Sequence, residues 1–308
     1  MSLLEPADIK DFDPADIVDR EPEASRFQNL LEFATQRRIL AVSDDSGWGK
    51  STFLKKLRYL CEYKHNVPVA LIPLEDFDDR PDEFELVSDI VDQLKRAGVP
   101  FPSFDRLNIA RLLHDAGLFV DRLRGAVNAE AAVISGGQVA GSIFNIEHAD
   151  NVGVPDWTDE ANRQAKLLCL EAFLADLFET ASERTVVIIL DNVEHTTEQL
   201  RRWMFKTLVS DRILATPDAE HKLIVVMAGE KLQPRLTSRF EDLARFDFIS
   251  ALGTWEPEDT ARLFEVHGLN GLLPHQVIQL HGSIVAREVS LTSALAIAAI
   301  YTGGATWK

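Results

Sequence analysis

The chain has 308 residues, 46% of them hydrophobic, with 49 acidic against 32 basic side chains and a formal net charge of -17. That apolar fraction suffices for one large domain plus a smaller one and argues against a disordered regulator. A surface so negative repels nucleic-acid phosphates and anionic lipid unless a local basic patch overrides the field, and the densest basic cluster, Arg201, Arg202 and Lys206, is small.

The two cysteines, Cys61 and Cys169, fall in apolar helical patterns without a partner at metal-ligand spacing and read as buried free thiols. No apolar run is long enough to cross a bilayer, so no membrane partner and a cytoplasmic location are expected. Residues 1–23 mix proline and acids without periodicity and read as an extended N-terminal arm. The run Arg38-Ile39-Leu40-Ala41-Val42-Ser43 has the apolar density of a buried parallel strand and stops at a glycine-containing turn. A helix is expected from Lys50 to Tyr63, with Phe53, Leu54, Leu57, Leu60 and Cys61 on one face. A strand from Val67 to Leu74 comes next, then amphipathic helices over Asp82–Arg96 and Phe104–Ala126.

Residues 132–154 break this rhythm, because short β-branched runs around Gly136 and Gly137 predict an inserted β-hairpin. Beyond it come a helix over Thr158–Thr180, the strand Thr185–Leu190, a helix over Thr196–Leu214 and the strands Lys222–Ala228 and Phe246–Ser250. Strands alternating with helices predict an α/β core over residues 24–252, a doubly wound parallel sheet with helices on both faces. From Trp255 onward the pattern is helical only, at Glu256–His267, Pro274–Leu280 and Ser283–Tyr301. It predicts a small C-terminal helical subdomain over residues 253–308.

The strongest chemical signal is Asp44-Asp45-Ser46-Gly47-Trp48-Gly49-Lys50-Ser51-Thr52, set between an expected strand and an expected helix. A phosphate-binding loop needs glycines that let backbone N–H groups turn toward an anion, and a helix N-terminus that adds partial positive charge. It also needs a lysine for the β- and γ-phosphates and a hydroxyl for Mg2+. Gly47, Gly49, Lys50 and Ser51 meet those needs, with Trp48 and Thr52 as the other candidate nucleotide contacts. Trp48 either packs on a neighbouring helix or stands over the nucleotide. Against the pattern G-x-x-x-x-G-K-[ST], the first position is Asp44, a residue that tolerates left-handed turns. Carboxylates so close to a polyphosphate weaken its binding unless they are turned away.

The second signal is Val186-Val187-Ile188-Ile189-Leu190-Asp191, a buried strand ending in a carboxylate. Beside a phosphate-binding loop, such an acid holds the magnesium ion through its water shell. Asp191 and Ser51 are therefore the candidate metal residues, and Asp191 and Glu194 the candidate catalytic ones. Asn192 stands where an acid would polarise the attacking water, so Glu194 serves as base only if the turn points it inward. Slow or absent hydrolysis is expected.

Together these motifs resemble the signal-transducing ATPases with numerous domains, the STAND branch of P-loop NTPases with a NACHT or AAA+-like core. Arg20-Glu21-Pro22-Glu23 is similar to the family's Arg-Glu-x-Glu element, which introduces the helix over the adenine. Trp255-Glu256-Pro257-Glu258-Asp259 followed by Ala261-Arg262-Leu263-Phe264 is similar to the opening of its helical lid. The resemblance spans Asp19 to Tyr301 and implies ATP or ADP with Mg2+ between core and lid, controlling a protein partner or self-association. Ala228-Gly229-Glu230 lacks the polar residue that often contacts the γ-phosphate in the family. Arg235 and Arg239 are candidate cations for a nucleotide. The leading expectation is an ATP-gated regulatory switch. Its alternatives are an inactive pseudo-ATPase scaffold and a DNA-associated AAA+-type ATPase, against which the net charge speaks.

Overall fold

The computed structural model describes residues 20–35, 37–75, 82–115, 159–216, 221–230, 232, 246–250, 252 and 256–302. The expected hairpin at 132–154, the arm before Arg20, Trp255, and Arg235 and Arg239 lie outside the described residues.

The core is an α/β fold around a five-stranded sheet in the order β2-β3-β4-β1-β5. The strands are β1 (Ile39–Ser43), β2 (Val69–Pro73), β3 (Val186–Asp191), β4 (Leu223–Gly229) and β5 (Phe246–Ile249), and every pairing is parallel. β3 and β4 are buried along their whole length because both sheet faces are covered, which is why they read as continuous apolar runs. Side chains alternate between the faces with the strand period of two. Val186, Ile188 and Leu190 join one apolar cluster with Leu223, Val225 and Met227. Val187 and Ile189 join a second cluster on the opposite face with Ile224, Val226, Leu40 and Val42.

Helices α1 (Glu21–Leu31) and α2 (Lys50–Tyr59, extended by a π-helical turn to His65) cover that second face. The first face is covered by α3 (Glu83–Arg96), α4 (Pro102–Asp115), α5 (Asp159–Glu183) and α6, whose α-helical start Glu198–Arg202 continues as a π-helix over Trp203–Leu214. α3 opens on a capping box in which Asp82 accepts from the Glu85 amide while Glu85 accepts from the Asp82 amide, satisfying two otherwise orphaned donors. α1 begins at Glu21, inside the segment expected to be an extended arm: Arg20 and Glu23 are buried, and Pro22 occupies a first-turn position where its missing N–H costs nothing.

After β1 the chain crosses to the far edge at β2, returns through β3 and β4, and ends beyond β1 at β5. One strand, β4, thus separates β1 from β3. Register brings their C-terminal ends level: Ser43 pairs with Gly229, Ala41 with Met227, and Leu190 with Met227. The segments leaving Ser43, Asp191 and Gly229 therefore meet at one edge of the sheet, where open parallel sheets place their ligands.

The C-terminal subdomain consists of α7 (Pro257–Val266), α8 (Pro274–Val285) and α9 (Leu291–Tyr301), with an apolar core of its own that includes Leu263, Phe264, Ile284 and Leu295. The single helix expected over Ser283–Tyr301 is broken between Val285 and Leu291. Arg287 adopts a left-handed conformation (φ 56°), and the Ser290 side chain caps α9 by accepting from the Ser293 amide. Among the described residues, no helix is long and apolar enough to cross a membrane.

Candidate functional site

The loop that leaves β1 is shaped by two glycines in the left-handed region, Gly47 at φ 80° and Gly49 at φ 82°. Gly49 is the residue before α2, so the backbone turns there without a Cβ to hinder it, and the first-turn amides of the helix open at the end of the loop. Lys50, the first helical residue, is buried and donates from Nζ to the carbonyl oxygens of Asp44 and Asp45, each at 2.8 Å. The lysine thus spans the loop from below.

Ser51 is exposed and lies near enough to Asp191 for its hydroxyl to favour the ionised carboxylate. Asp191 is buried, and its Oδ1 accepts from the Asn192 amide at 2.9 Å. Burial pushes the Asp191 carboxyl above its ordinary value; the Ser51 and Asn192 hydrogen bonds and the Lys50 charge pull it back, and Glu75 adds to the rise. A carboxylate held at this cost beside a hydroxyl and an ammonium group suits a site for a divalent cation, whose charge would relieve the penalty. Thr52, the next helical residue, is exposed.

Asn192 is also left-handed (φ 56°), and the turn it starts, Val193–His195, carries Glu194 toward β4. Glu194 Oε2 accepts from the Glu230 amide at 3.1 Å. A Cβ on Gly229 would lie 2.4 Å from that oxygen, so the glycine leaves room for the carboxylate. The acid therefore sits at the C-terminal end of β4, between the strand ending in Asp191 and the strand leading into the glycine-containing loop. The turn does point it inward, and the sheet end that lacks a polar side chain of its own receives one from Glu194.

Trp48 has a different place from the one over a nucleotide. Its indole is buried in the core of the C-terminal subdomain with Leu263, Phe264, Leu291 and Leu295. Its carbonyl accepts from Arg20 Nη2 at 3.4 Å, which brings the start of α1 beneath the loop. The tryptophan thus belongs to the loop by its backbone and to the helical subdomain by its ring.

Asp44 is turned away from solvent. Its side chain is 1% exposed and forms a bidentate pair with Arg287, at 2.6 Å to Oδ1 and 3.2 Å to Oδ2. The Asp45 amide donates to Oδ1 at 2.9 Å and the Leu252 amide to Oδ2 at 2.8 Å. The Arg287 guanidinium stacks over the Trp48 ring, 4.4 Å from its centroid. Arg287 is the residue that sequence reasoning missed; the signal available was Asp44 itself, a carboxylate in a glycine position that demanded a cation.

No protein-family model matches the chain, and no curated protein matches it significantly.

Proposed function

We propose that the chain is a STAND-like, ATP-binding regulatory switch of the cytoplasm, in which adenine nucleotide with Mg2+ controls a protein partner or self-association. The observation that carries this reading is the convergence, at the C-terminal ends of β1 and β3, of a loop shaped by Gly47 and Gly49, the buried Lys50 that opens α2 with Ser51 after it, and the buried Asp191. Ser51 and Asp191 would hold the magnesium ion, and Lys50 would exchange its two loop carbonyls for phosphate oxygens. Glu194 is the group available to orient and deprotonate a water, but its carboxylate is held by the Glu230 amide, and Asn192 offers none. Hydrolysis is therefore slow, well below the typical turnover of about 10 per second.

The second reading, an inert scaffold that keeps the fold, is favoured by the internal satisfaction of Lys50 on its own loop. Light scattering and phosphate release separate the two, measured without nucleotide, with ADP and with a non-hydrolysable ATP analogue. A switch changes its mass or partner binding between these conditions. Identical mass and partners in all three leave the scaffold.

A further inference from the structure

We propose that Asp44, Arg287 and Trp48 form a latch that fastens the C-terminal helical subdomain to the phosphate loop, so that whatever occupies the loop acts directly on the docking of the subdomain. The part of this inference that concerns nucleotide rests on the ATP-binding reading; the latch itself does not.

Contacts from the subdomain converge on a few consecutive residues of the loop. Arg287 grips Asp44 with both terminal nitrogens and lies on the Trp48 ring, while that ring is itself embedded among α7 and α9. The Thr292 amide donates to the Gly47 carbonyl at 3.2 Å. A Cβ on Gly47 would meet Ser290 Oγ at 2.8 Å, so the N-terminus of α9 touches the loop at its most constrained residue. Two features mark the pair as more than surface charge. The carboxylate is 1% exposed, so separating the pair leaves a buried anion with only backbone donors. Arg287 is also fixed in place by the backbone, as the left-handed residue of the motif that ends α8, where its amide donates to the Ile284 carbonyl and the Glu288 amide to the Ser283 carbonyl, each at 2.9 Å.

An entering polyphosphate changes this balance through simple electrostatics. Its charge attracts the Arg287 guanidinium and repels the Asp44 carboxylate, so it favours separation of the pair. Coupling between two equilibria is reciprocal: if the anion loosens the latch, changes to the latch must change affinity for the anion. The two halves then give opposite signs. Asp44→Asn removes a repelling charge and sets Arg287 free, so phosphate binding tightens. Arg287→Gln leaves Asp44 bare beside the loop, so phosphate binding weakens. Those signs follow from local charge alone, so the coupling itself is read from whether a bound anion loosens the docking of α9.

The test has two arms. In the first, amide exchange is followed in the ligand-free protein for wild type, Arg287→Lys, Arg287→Gln and Asp44→Asn. Arg287→Gln and Asp44→Asn should speed exchange at Thr292 and through the first turns of α9 by about tenfold or more, with β3 and β4 unchanged. Arg287→Lys, which keeps the charge and loses the planar fork, should fall between. Exchange at Thr292 equal to wild type, or a rise shared equally by β3 and β4, would overturn the latch. In the second arm, inorganic triphosphate and ADP are titrated into the same proteins. Coupling predicts that saturating probe speeds exchange at Thr292 by about threefold or more in the wild type and adds little in Asp44→Asn, where the latch is already open. Exchange at Thr292 unchanged in a wild type that binds the probe would overturn it. If no variant and no wild type binds either probe, the ATP-binding reading fails, while the exchange arm still decides the latch.

Discussion

Replacing Gly47 by alanine separates backbone strain from contact with the helical subdomain, because other glycines supply the controls. Gly47 sits at φ 80°, where an L side chain costs about 1–2 kcal/mol from left-handed strain alone. Its new Cβ would stand 2.8 Å from Ser290 Oγ, 3.1 Å from Ser290 Cβ and 3.3 Å from Thr292 Oγ1, so α9 must shift away. That shift gives up the bond from the Thr292 amide to the Gly47 carbonyl, about 1 kcal/mol more, for a total of about 2–3 kcal/mol. Gly49→Ala has nearly the same φ, 82°, but its nearest neighbours are Leu291 Cδ1 at 3.9 Å and Arg20 Nη2 at 4.0 Å. Gly98→Ala, at φ 77° after α3, meets nothing within 4 Å. Both controls carry strain alone. Urea unfolding of the three variants should rank Gly47→Ala lowest, with faster amide exchange in α9 for that variant only. If Gly47→Ala unfolds at the same midpoint as Gly98→Ala and its α9 exchange is unchanged, the contact between loop and subdomain is misjudged.

The raised proton affinity of Asp191 makes a second prediction. A carboxyl whose folded pKa lies above its unfolded value weakens the fold when ionised, and the penalty disappears as pH falls through the folded pKa toward about 3.9. Asp191→Asn, which keeps the shape, should therefore melt higher than wild type at pH 7.5 without metal, with the gap closing toward pH 4. A lower melting point at pH 7.5 would show that the ionised form is favoured instead. The cysteines give a third prediction. Both are buried; burial pushes the Cys169 thiol up to about 11 and the Cys61 thiol higher still, so little thiolate is present at pH 8. Ellman's reagent should label the folded protein slowly and both thiols promptly after denaturation; fast labelling of the folded protein would contradict the packing.

Much of the core is legible from residue order alone, because β1, β3 and β4 are buried on both faces and only uninterrupted apolar runs satisfy such strands. The placing of Ser51 and Asp191 at one edge of the sheet is legible too, since each follows a parallel strand, although their nearness also needs the strand order that sets β4 alone between β1 and β3. The inward turn of Glu194 is not. It depends on the left-handed Asn192 and on the missing Cβ at Gly229, features far apart in the sequence and joined only by the register of β3 with β4. The burial of Trp48 and the pairing of Asp44 with Arg287 lie further out of reach. Both need the C-terminal subdomain to be placed on the loop, and periodicity within the subdomain says only which of its faces is apolar. It indicates Leu291, Leu295 and Ala298, all buried in its core, and sets Ile300, which is 75% exposed, on the opposite face.

Isothermal calorimetry of MgADP and MgATP with wild type and Lys50→Ala tests the ATP-binding claim most directly. Lys50 is buried at the base of the loop, bonded to the Asp44 and Asp45 carbonyls that a phosphate would replace. Its removal should weaken binding by about tenfold or more, roughly 1.4 kcal/mol or greater, in a protein whose unfolding shows the fold intact. Equal affinity in the two proteins, or no heat of binding in the wild type, would contradict the account.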